Sequence, residues 1–160
     1  MTPIDAKRDL RRQMRLIRRA LPDQSERSRR IWARVQALPA MAAAGVVMVF
    51  DSVPGEPITQ PFIDWCGVNG KQVVLPEDDP SPDPAIIDVV VVPGIAFTAR
   101  GDRLGQGGGW YDRFLSQVRS ECVTIGVGFA PQLVDDLPTE PHDVALDIVV
   151  TDEQVYLASR

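Results

Sequence analysis

The chain has 160 residues, the size of one ordinary domain, which is long enough to bury a hydrophobic core. Its 44% hydrophobic and 24% charged residues are typical of a globular protein. A net charge of −5 and a pI near 4.8 disfavour nucleic acid as a partner. There is no run of about 18 apolar residues and no secretory leader, so we expect neither a membrane partner nor secretion. We expect a single domain over residues 1–160, located in the cytoplasm.

The amino-terminal part of the chain is predicted to be helical and basic. Apolar residues that recur every three or four positions predict a helix over residues 5–20. A second helix follows, with Asp23 or Ser25 as its cap. More than half of the 17 Lys and Arg residues lie within residues 1–30, so this basic character is local.

The remainder of the chain alternates predicted strands with predicted helices. Several strands are apolar without alternation, which is typical of strands covered on both faces. One helix is predicted over residues 57–68, with Pro57 in its first turn, and another directly follows a glycine tract. The acidic, proline-rich residues 76–84 are predicted to form an exposed loop. This order predicts an α/β fold, an open and mainly parallel sheet with helices on both faces. The predicted strands are residues 45–50, 72–75, 86–92, 123–129 and 146–150.

Residues 93–115 form the most informative segment. A predicted strand leads through Arg103 into the glycine tract 105–109, and a predicted helix follows. Glycine lets a backbone approach a ligand closely, and a helix start offers unpaired N–H groups to an anion. Open parallel sheets bind ligands at the carboxyl ends of their strands, where this tract lies. A phosphate site is therefore predicted. A flexible loop remains the alternative, because Trp110 stands where the common nucleotide motifs need another residue.

Four separate segments resemble the 5-formyltetrahydrofolate cyclo-ligase family, also called methenyltetrahydrofolate synthetases. They read KRDLRRQMRLIRRAL from residue 7, VPGEPIT from residue 53, GDRLGQGGGWYDRFL from residue 101 and PHDVALDIVVTDE from residue 141. The resemblance implies an enzyme that uses MgATP to convert 5-formyltetrahydrofolate to 5,10-methenyltetrahydrofolate, with release of ADP and phosphate. It also implies a three-layer fold of the sugar-isomerase and CoA-transferase type.

The resemblance implies roles for individual residues near the nucleotide. Lys7 and Arg11, one helical turn apart, would bind the ATP phosphates, with a solvated basic face as the alternative. Other arginines of this helix are assigned to that solvated face: Arg12, Arg15, Arg18 and Arg19. Arg103 and Tyr111 would be the catalytic residues. Trp110 would form an aromatic wall or, equally well, anchor the core. The implied nucleotide-binding set is Lys7, Arg11, Arg103, Leu104, Gly105, Gln106, Gly107, Gly108, Gly109, Trp110 and Tyr111.

Four carboxylates complete the site that the resemblance implies. Asp112 and Asp147 would bind Mg²⁺, with Asp143 as a less favoured substitute for Asp147. An aspartate inside an apolar strand is expensive to bury without a partner, which favours a ligand role for Asp147. Glu56 would contact the pterin ring of a reduced folate, although its surroundings also read as an ordinary turn. Asp51 would line the folate pocket, where the family has an apolar residue.

The resemblance is weaker in the segments that would bind folate than in those that would bind ATP. Between the second and third predicted strands, family members carry a longer segment, which here is shortened to the loop 76–84. Two alternatives therefore stay open: a non-catalytic relative that binds nucleotide or folate, and a ligase for a different small substrate. The acidic pI disfavours a third, an RNA-binding module built on the basic first helix. His142, the only histidine, is expected to have a structural role.

Overall fold

The computed structural model describes residues 1–158, and a six-stranded sheet forms its centre. The strands are Val46–Val49 (β1), Gln72–Val74 (β2), Val89–Val92 (β3), Ala96–Phe97 (β4), Arg103–Leu104 (β5), Val123–Val127 (β6), Ile148–Val150 (β7) and Val155–Leu157 (β8). The order in the main sheet is β2-β1-β3-β6-β7-β8, and only β8 runs antiparallel to its neighbour. β4 and β5 form a separate antiparallel hairpin.

Helices cover both faces of this sheet. The α-helices are Pro3–Ala20 (α1), Gln24–Gln36 (α2), Pro39–Ala43 (α3), Gln60–Val68 (α4) and Trp110–Leu115 (α5). Successive residues of a strand point to opposite faces, so Val47 and Val49 of β1 pack with α2, α3 and α4, whereas Met48 packs with α5. The predicted α/β architecture with helices on both faces is confirmed. None of the helices within residues 1–158 is long and apolar enough to cross a bilayer.

Helix α1 packs on the β4–β5 hairpin at one end of the sheet. Met14 is buried there with Ile95, Ala96 and Leu104. Positions 7, 11, 14 and 18 of the chain lie on one face of a helix, since they are spaced by four, three and four residues. Because Met14 fixes this face against the hairpin, the basic side chains on either side of it point toward the interior as well.

Several predicted boundaries differ from the observed ones. The strand predicted from residue 86 begins only at Val89, because Pro84–Ile86 form a turn of 3₁₀ helix. The helix predicted to begin at Pro57 begins at Gln60, with Pro61 in its first turn. The β4–β5 hairpin was not predicted, since strands of two residues show no periodicity that a sequence pattern could reveal.

Candidate active site

A cavity of about 230 Å³ lies where α1, the β4–β5 hairpin and the loop before α5 meet. Pro93 and Gly94 form part of its wall and directly follow the carboxyl end of β3. The glycine tract thus lies at the sheet edge where its position in the sequence predicts a ligand site. The other lining residues are Lys7, Arg11, Arg103, Leu104, Gly105, Gln106, Gly107, Gly108, Gly109, Trp110, Tyr111, Asp112, Glu140, His142 and Asp143.

The loop 105–109 presents unpaired N–H groups. Gly107 has φ of 113° and Gly109 has φ of 72°, conformations that glycine adopts at little cost. A side chain on Gly105 would come within 2.8 Å of the Arg103 guanidinium, so the backbone runs very close to that cation. Among residues 1–158, the peptide N–H groups of residues 106–109 donate to no partner. Successive free N–H groups on a turn form an anion-binding concavity.

Helix α1 holds this loop in place through two arginines. Arg11 Nε donates a hydrogen bond of 2.7 Å to the Gly105 carbonyl. Arg15 Nη2 donates one of 2.7 Å to Gln106 Oε1, which sequence reasoning missed by assigning Arg15 to the solvated face. No local pattern could reveal this bond, because its partners lie 91 residues apart in the chain. The structure thus fixes the path of the loop with charged side chains of α1.

Lys7, which also lines the cavity, is buried against two carboxylates. Its Nζ lies 2.7 Å from Asp143 Oδ2 and 2.8 Å from Glu140 Oε1, and the residue is only 7% exposed. Burial lowers the pKa of Lys7, but the hydrogen bonds to both carboxylates outweigh it and raise that pKa above its ordinary value. Burial likewise raises the pKa of Asp143, while the bonds from Lys7 and the Glu140 N–H bring it below its ordinary value. Both partners are therefore charged at neutral pH.

The acidic side chains near the loop include Asp112, one member of the pair that the family resemblance implies. Asp112 lines the cavity, and its Oδ1 accepts a hydrogen bond of 3.0 Å from the Val144 N–H. Ligand atoms of Glu140, His142 and Asp143 lie within 4.8 Å of one another in the same cavity. The structure therefore gathers four residues that carry metal-ligand atoms along one wall.

Asp147 is not among the residues that line this cavity. It precedes β7, and its Oδ2 accepts hydrogen bonds from the backbone N–H and the hydroxyl of Thr124, at 2.9 and 3.1 Å. Thr124 lies near the amino-terminal end of β6, so this pair occupies the sheet edge opposite to Pro93. Asp147 is partly buried, and Thr124 supplies hydrogen-bond partners for its carboxylate there. Burial alone therefore no longer favours a ligand role for Asp147.

Arg103 and Tyr111 lie together beside the glycine loop. Arg103 Nε donates a hydrogen bond of 2.6 Å to the Pro93 carbonyl, and its guanidinium lies 4.9 Å from the centre of the Tyr111 ring. Burial raises the pKa of Tyr111, so its phenol is neutral at pH 7 and can donate a hydrogen bond. Trp110 is 37% exposed and stacks on Phe114 at 5.1 Å, so it is both a partial wall and an anchor. The Leu104 side chain is buried with Met14 of α1, and the residue also borders the cavity.

The residues expected to bind folate lie after β1. Glu56 is 7% exposed, and its Oε1 accepts a hydrogen bond of 2.9 Å from the Val53 N–H, so the predicted turn is present. Glu56 borders a second, more open cavity between α1 and the residues 52–58. Asp51 is exposed just beyond the carboxyl end of β1.

Fold and site together define an α/β protein in which a glycine loop with unpaired N–H groups lies beside a carboxylate cluster. The sequence matches the 5-formyltetrahydrofolate cyclo-ligase family over residues 3–86 and 78–152, and the chain belongs to this family. A 5-formyltetrahydrofolate cyclo-ligase of Escherichia coli K12 is 34% identical over 176 aligned positions, which cover 87% of this chain and 96% of the relative.

Two solved structures have the same fold. The 5,10-methenyltetrahydrofolate synthetase of Mycoplasma pneumoniae is 26% identical, with a TM-score of 0.81 over 91% of this chain and 98% of that one. An Aquifex aeolicus 5,10-methenyltetrahydrofolate synthetase is 24% identical, with a TM-score of 0.83 over 96% of this chain and 93% of that one. The latter likeness concerns the fold alone.

The comparisons also bear on the connection between β2 and β3, for which a shortened segment stays a prediction. The aligned length of 176 positions exceeds the 160 residues of the chain, so the Escherichia coli relative has residues without a counterpart here. The two family matches meet at residues 78–86, in the connection between β2 and β3. This is the place where the sequence predicted a shortened segment.

Proposed function

We propose that this protein is a 5-formyltetrahydrofolate cyclo-ligase that couples ATP cleavage to formation of 5,10-methenyltetrahydrofolate, with release of ADP and phosphate. The observation that carries the proposal is the row of unpaired N–H groups in residues 106–109, beside Arg11 and Arg103, in a member of this family. The cavity of about 230 Å³ is smaller than the roughly 300 Å³ at which ligand pockets usually begin. It therefore suits the polyphosphate of a nucleotide, with the nucleoside outside it.

The reaction needs positioning and charge neutralisation more than it needs an acid or a base. The formyl oxygen of the substrate attacks the γ-phosphorus and ADP leaves. The neighbouring folate nitrogen then attacks the carbon of the resulting iminium phosphate and loses its proton, and the ring is closed as the C–O bond breaks and phosphate departs with the former formyl oxygen and that proton. The amides of residues 106–109 would hold the phosphate oxygens in fixed directions. Arg103 would neutralise charge that moves onto the leaving ADP, and the neutral phenol of Tyr111 would donate a hydrogen bond to the reacting oxygens.

The carboxylates of the cavity fit Mg²⁺. This cation prefers oxygen ligands from one or two carboxylates together with phosphate oxygens and water. Asp112 and Asp143 line the same cavity as the loop, whereas Asp147 does not. We therefore place the ion on Asp112 and Asp143, with Glu140 beside them, and give Asp147 a structural role. When bound, Mg²⁺ would neutralise part of the triphosphate charge.

The substrate side of the proposal rests on Glu56. Its carboxylate can accept hydrogen bonds from adjacent N–H donors, as a pterin ring offers. Asp51, exposed beyond β1, would lie at the outer margin of the same region. We further propose that residues 1–160 act as one domain in the cytoplasm, because Cys66 and Cys122 are buried and unpaired, as in a reducing compartment.

One coupled assay tests the activity. Purified protein is mixed with MgATP and 5-formyltetrahydrofolate, and ADP is measured beside the near-ultraviolet absorbance of the methenyl product. The proposal predicts equal amounts of both products and no ADP without the folate. Thermal stabilisation by either ligand without product would instead identify a non-catalytic binding relative. Failure of the folate, together with ADP release on another formyl compound, would identify a different substrate.

A further inference from the structure

Arg18 is the last buried residue on the inward-facing side of α1. Unlike Lys7 and Arg11 on the same face, its side chain forms no hydrogen bond with a carboxylate or with the loop 105–109 within residues 1–158. Arg18 is 6% exposed, and its Nε and Nη1 atoms are buried without a hydrogen-bond partner among residues 1–158. A buried guanidinium is costly unless an opposite charge compensates it. The position of Arg18 therefore needs an explanation beyond packing.

The guanidinium of Arg18 lies against the turn that carries Glu56. A side chain on Gly55 would come within 3.1 Å of Arg18 Nε, and the φ of 93° at Gly55 also favours glycine. Glu56, the next residue, is equally buried, and its carboxylate accepts a hydrogen bond from the Val53 N–H. Arg18 and Glu56, which carry opposite charges, are thus both buried where α1 meets this turn.

Charged groups from several elements face the Glu56 carboxylate. Arg18 of α1 and Arg103 of β5 favour its ionised form, and Glu77, in the shortened connection after β2, opposes it. The phenol of Tyr111 in α5 also lies within electrostatic range of Glu56. Burial raises the pKa of Glu56 above its ordinary value, and the Val53 N–H and the two arginines offset part of that rise. Arg103 also donates a hydrogen bond to the Pro93 carbonyl and contacts the Tyr111 ring. For Arg18, Glu56 is the opposite charge that favours its ionised form.

We propose that Arg18 is a positioning residue that keeps the buried Glu56 carboxylate ionised and ready to accept N–H donors of the substrate. An ionised carboxylate only accepts hydrogen bonds, whereas the protonated group offers a donor where the substrate also has donors. The substrate part of this statement rests on the proposed function. The effect of Arg18 on Glu56 does not depend on it.

The direct test is the titration of Glu56 by NMR on protein labelled with ¹³C at the glutamate carboxyl carbons, with Glu56→Gln to assign the signal. Arg18→Met should raise the pKa of Glu56 by about one pH unit or more, the size expected for loss of a close opposite charge. Glu77→Gln should move it in the opposite direction. Arg12→Met is the control, because Arg12 is an exposed arginine of α1 that does not border the cavity next to Glu56 and is not among the charges that act on Glu56. An unchanged Glu56 titration in Arg18→Met would overturn the proposal.

A double-mutant cycle of melting temperatures tests the proposal even if Arg18→Met folds poorly. The double variant Arg18→Met/Glu56→Gln removes both charges, so it should recover most of the melting temperature lost by Arg18→Met alone at pH 7. Equal losses in the single and the double variant would show that Arg18 acts only through packing and would contradict the proposal.

The enzymatic readout separates this inference from the proposed function. Arg18→Met should raise the KM for the folate increasingly as the pH falls, by about tenfold for each pH unit of altered titration once the pH lies below the pKa of Glu56 in both proteins, and this defect should disappear as the pH rises. The KM for ATP should stay unchanged. Absence of activity in every variant, including the unmodified protein, would contradict the proposed function while the NMR result still decides the role of Arg18. A folate KM defect that does not vary with pH would overturn the inference instead.

Discussion

Lys7 illustrates how one buried charge connects distant parts of the chain. Its ammonium reaches Asp143, 136 residues away, and neutralises Glu140 as well. Removal of one partner of such a pair leaves the others uncompensated in a poorly hydrated place. The same residue therefore contributes to stability and borders the phosphate site.

We predict that Lys7→Met lowers the free energy of unfolding at pH 7 by about 1–3 kcal/mol, less than for a fully buried pair because both carboxylates are partly exposed. The pKa of Asp143 is depressed by folding, so its contribution is present above its ordinary pKa of 3.8 and is lost as the pH falls through the lower folded value. The pKa of Lys7 is raised, so its contribution disappears only above its ordinary value of 10.5. The difference between the variant and the parent should therefore shrink below about pH 4.

Urea unfolding at several pH values measures this prediction. Arg12→Met is the control, because Arg12 is exposed on the other side of the same helix and should change stability by less than about 0.5 kcal/mol. A loss of stability in Lys7→Met that is the same at pH 3 and pH 7 would argue against the charge-based account.

The metal assignment gives a second prediction for single residues. Asp112→Asn and Asp143→Asn should raise the Mg²⁺ concentration needed for half-maximal activity by about tenfold or more, since each removes a charged oxygen ligand. Asp147→Asn should lower the melting temperature by weakening the bonds to Thr124, with the Mg²⁺ requirement unchanged. The measurement is a Mg²⁺ titration of turnover at fixed ATP. A Mg²⁺ defect in Asp147→Asn alone would restore the pair implied by the family resemblance.

At the residue scale, the sequence predicted the residues around the glycine loop better than it predicted the acidic residues of the cavity. Lys7, Arg11 and the glycine loop are predicted from the sequence and line one cavity. The sequence does not single out Glu140 and favours Asp147 over Asp143, because only the topology shows which sheet edge each acidic residue reaches. The partly buried Asp147 carboxylate accepts hydrogen bonds from Thr124, and no sequence pattern distinguishes this partner from a metal ion.

At the scale of elements, the loop 105–109 depends on backbone conformations that differ from one glycine to the next. Gly107 has φ of 113°, whereas Gly108 is not among the glycines with positive φ and has open space where a Cβ atom would lie. Helix α5 has only six residues, so the proposed phosphate site depends mainly on the amides of the loop itself. These two neighbouring glycines therefore form a matched pair for substitution.

We predict that Gly107→Ala lowers the free energy of unfolding by about 1 kcal/mol or more, because alanine is strained at this φ. Gly108→Ala should change it by less than about 0.5 kcal/mol. A side chain at Gly107 would lie 3.6 Å from the Arg11 guanidinium, which is ordinary contact, so strain and not a clash is the cause. Urea unfolding without nucleotide measures both variants. Equal effects would show that the loop does not hold the observed conformation in solution.

The hydrophobic pattern of the sequence predicted the strands that are buried on both faces of the sheet. The strands around Val47 and Val90 are buried on both faces and were recognised as continuous apolar runs. The late start of β3 at Val89 and the short β4–β5 hairpin were missed, because turns near prolines and two-residue strands depend on tertiary contacts. The hairpin matters most, since α1 packs on it and thereby reaches the loop.

At the scale of the whole molecule, the two halves of the site differ in enclosure. The phosphate half is built from α1, the hairpin and the loop before α5, all present within residues 1–158. The other half borders the open groove at Glu56 and the shortened connection between β2 and β3. A ligand gains less from an open surface than from an enclosed one, because less of its area leaves water.

We therefore predict that MgATP stabilises the protein against heat more strongly than 5-formyltetrahydrofolate does at equal concentration. Stabilisation follows the ratio of ligand concentration to Kd, so the melting temperature reports relative affinity. The folate should stabilise more in the presence of a non-hydrolysable ATP analogue than alone, since the bound nucleotide would supply part of its site. Stronger stabilisation by the folate alone would mean that the short connection does not weaken the pocket.

The central claim is that the amides of residues 106–109 bind the phosphates of a nucleotide, and their NMR signals test it most directly. Addition of MgATP to ¹⁵N-labelled protein should shift these four amide signals, and the Arg11→Met variant, which loses the bond to Gly105, should require a higher concentration for the same shifts. AMP, which lacks the polyphosphate, should shift them far less. Saturating MgATP that moves signals elsewhere and leaves the amides of residues 106–109 unchanged would contradict the account.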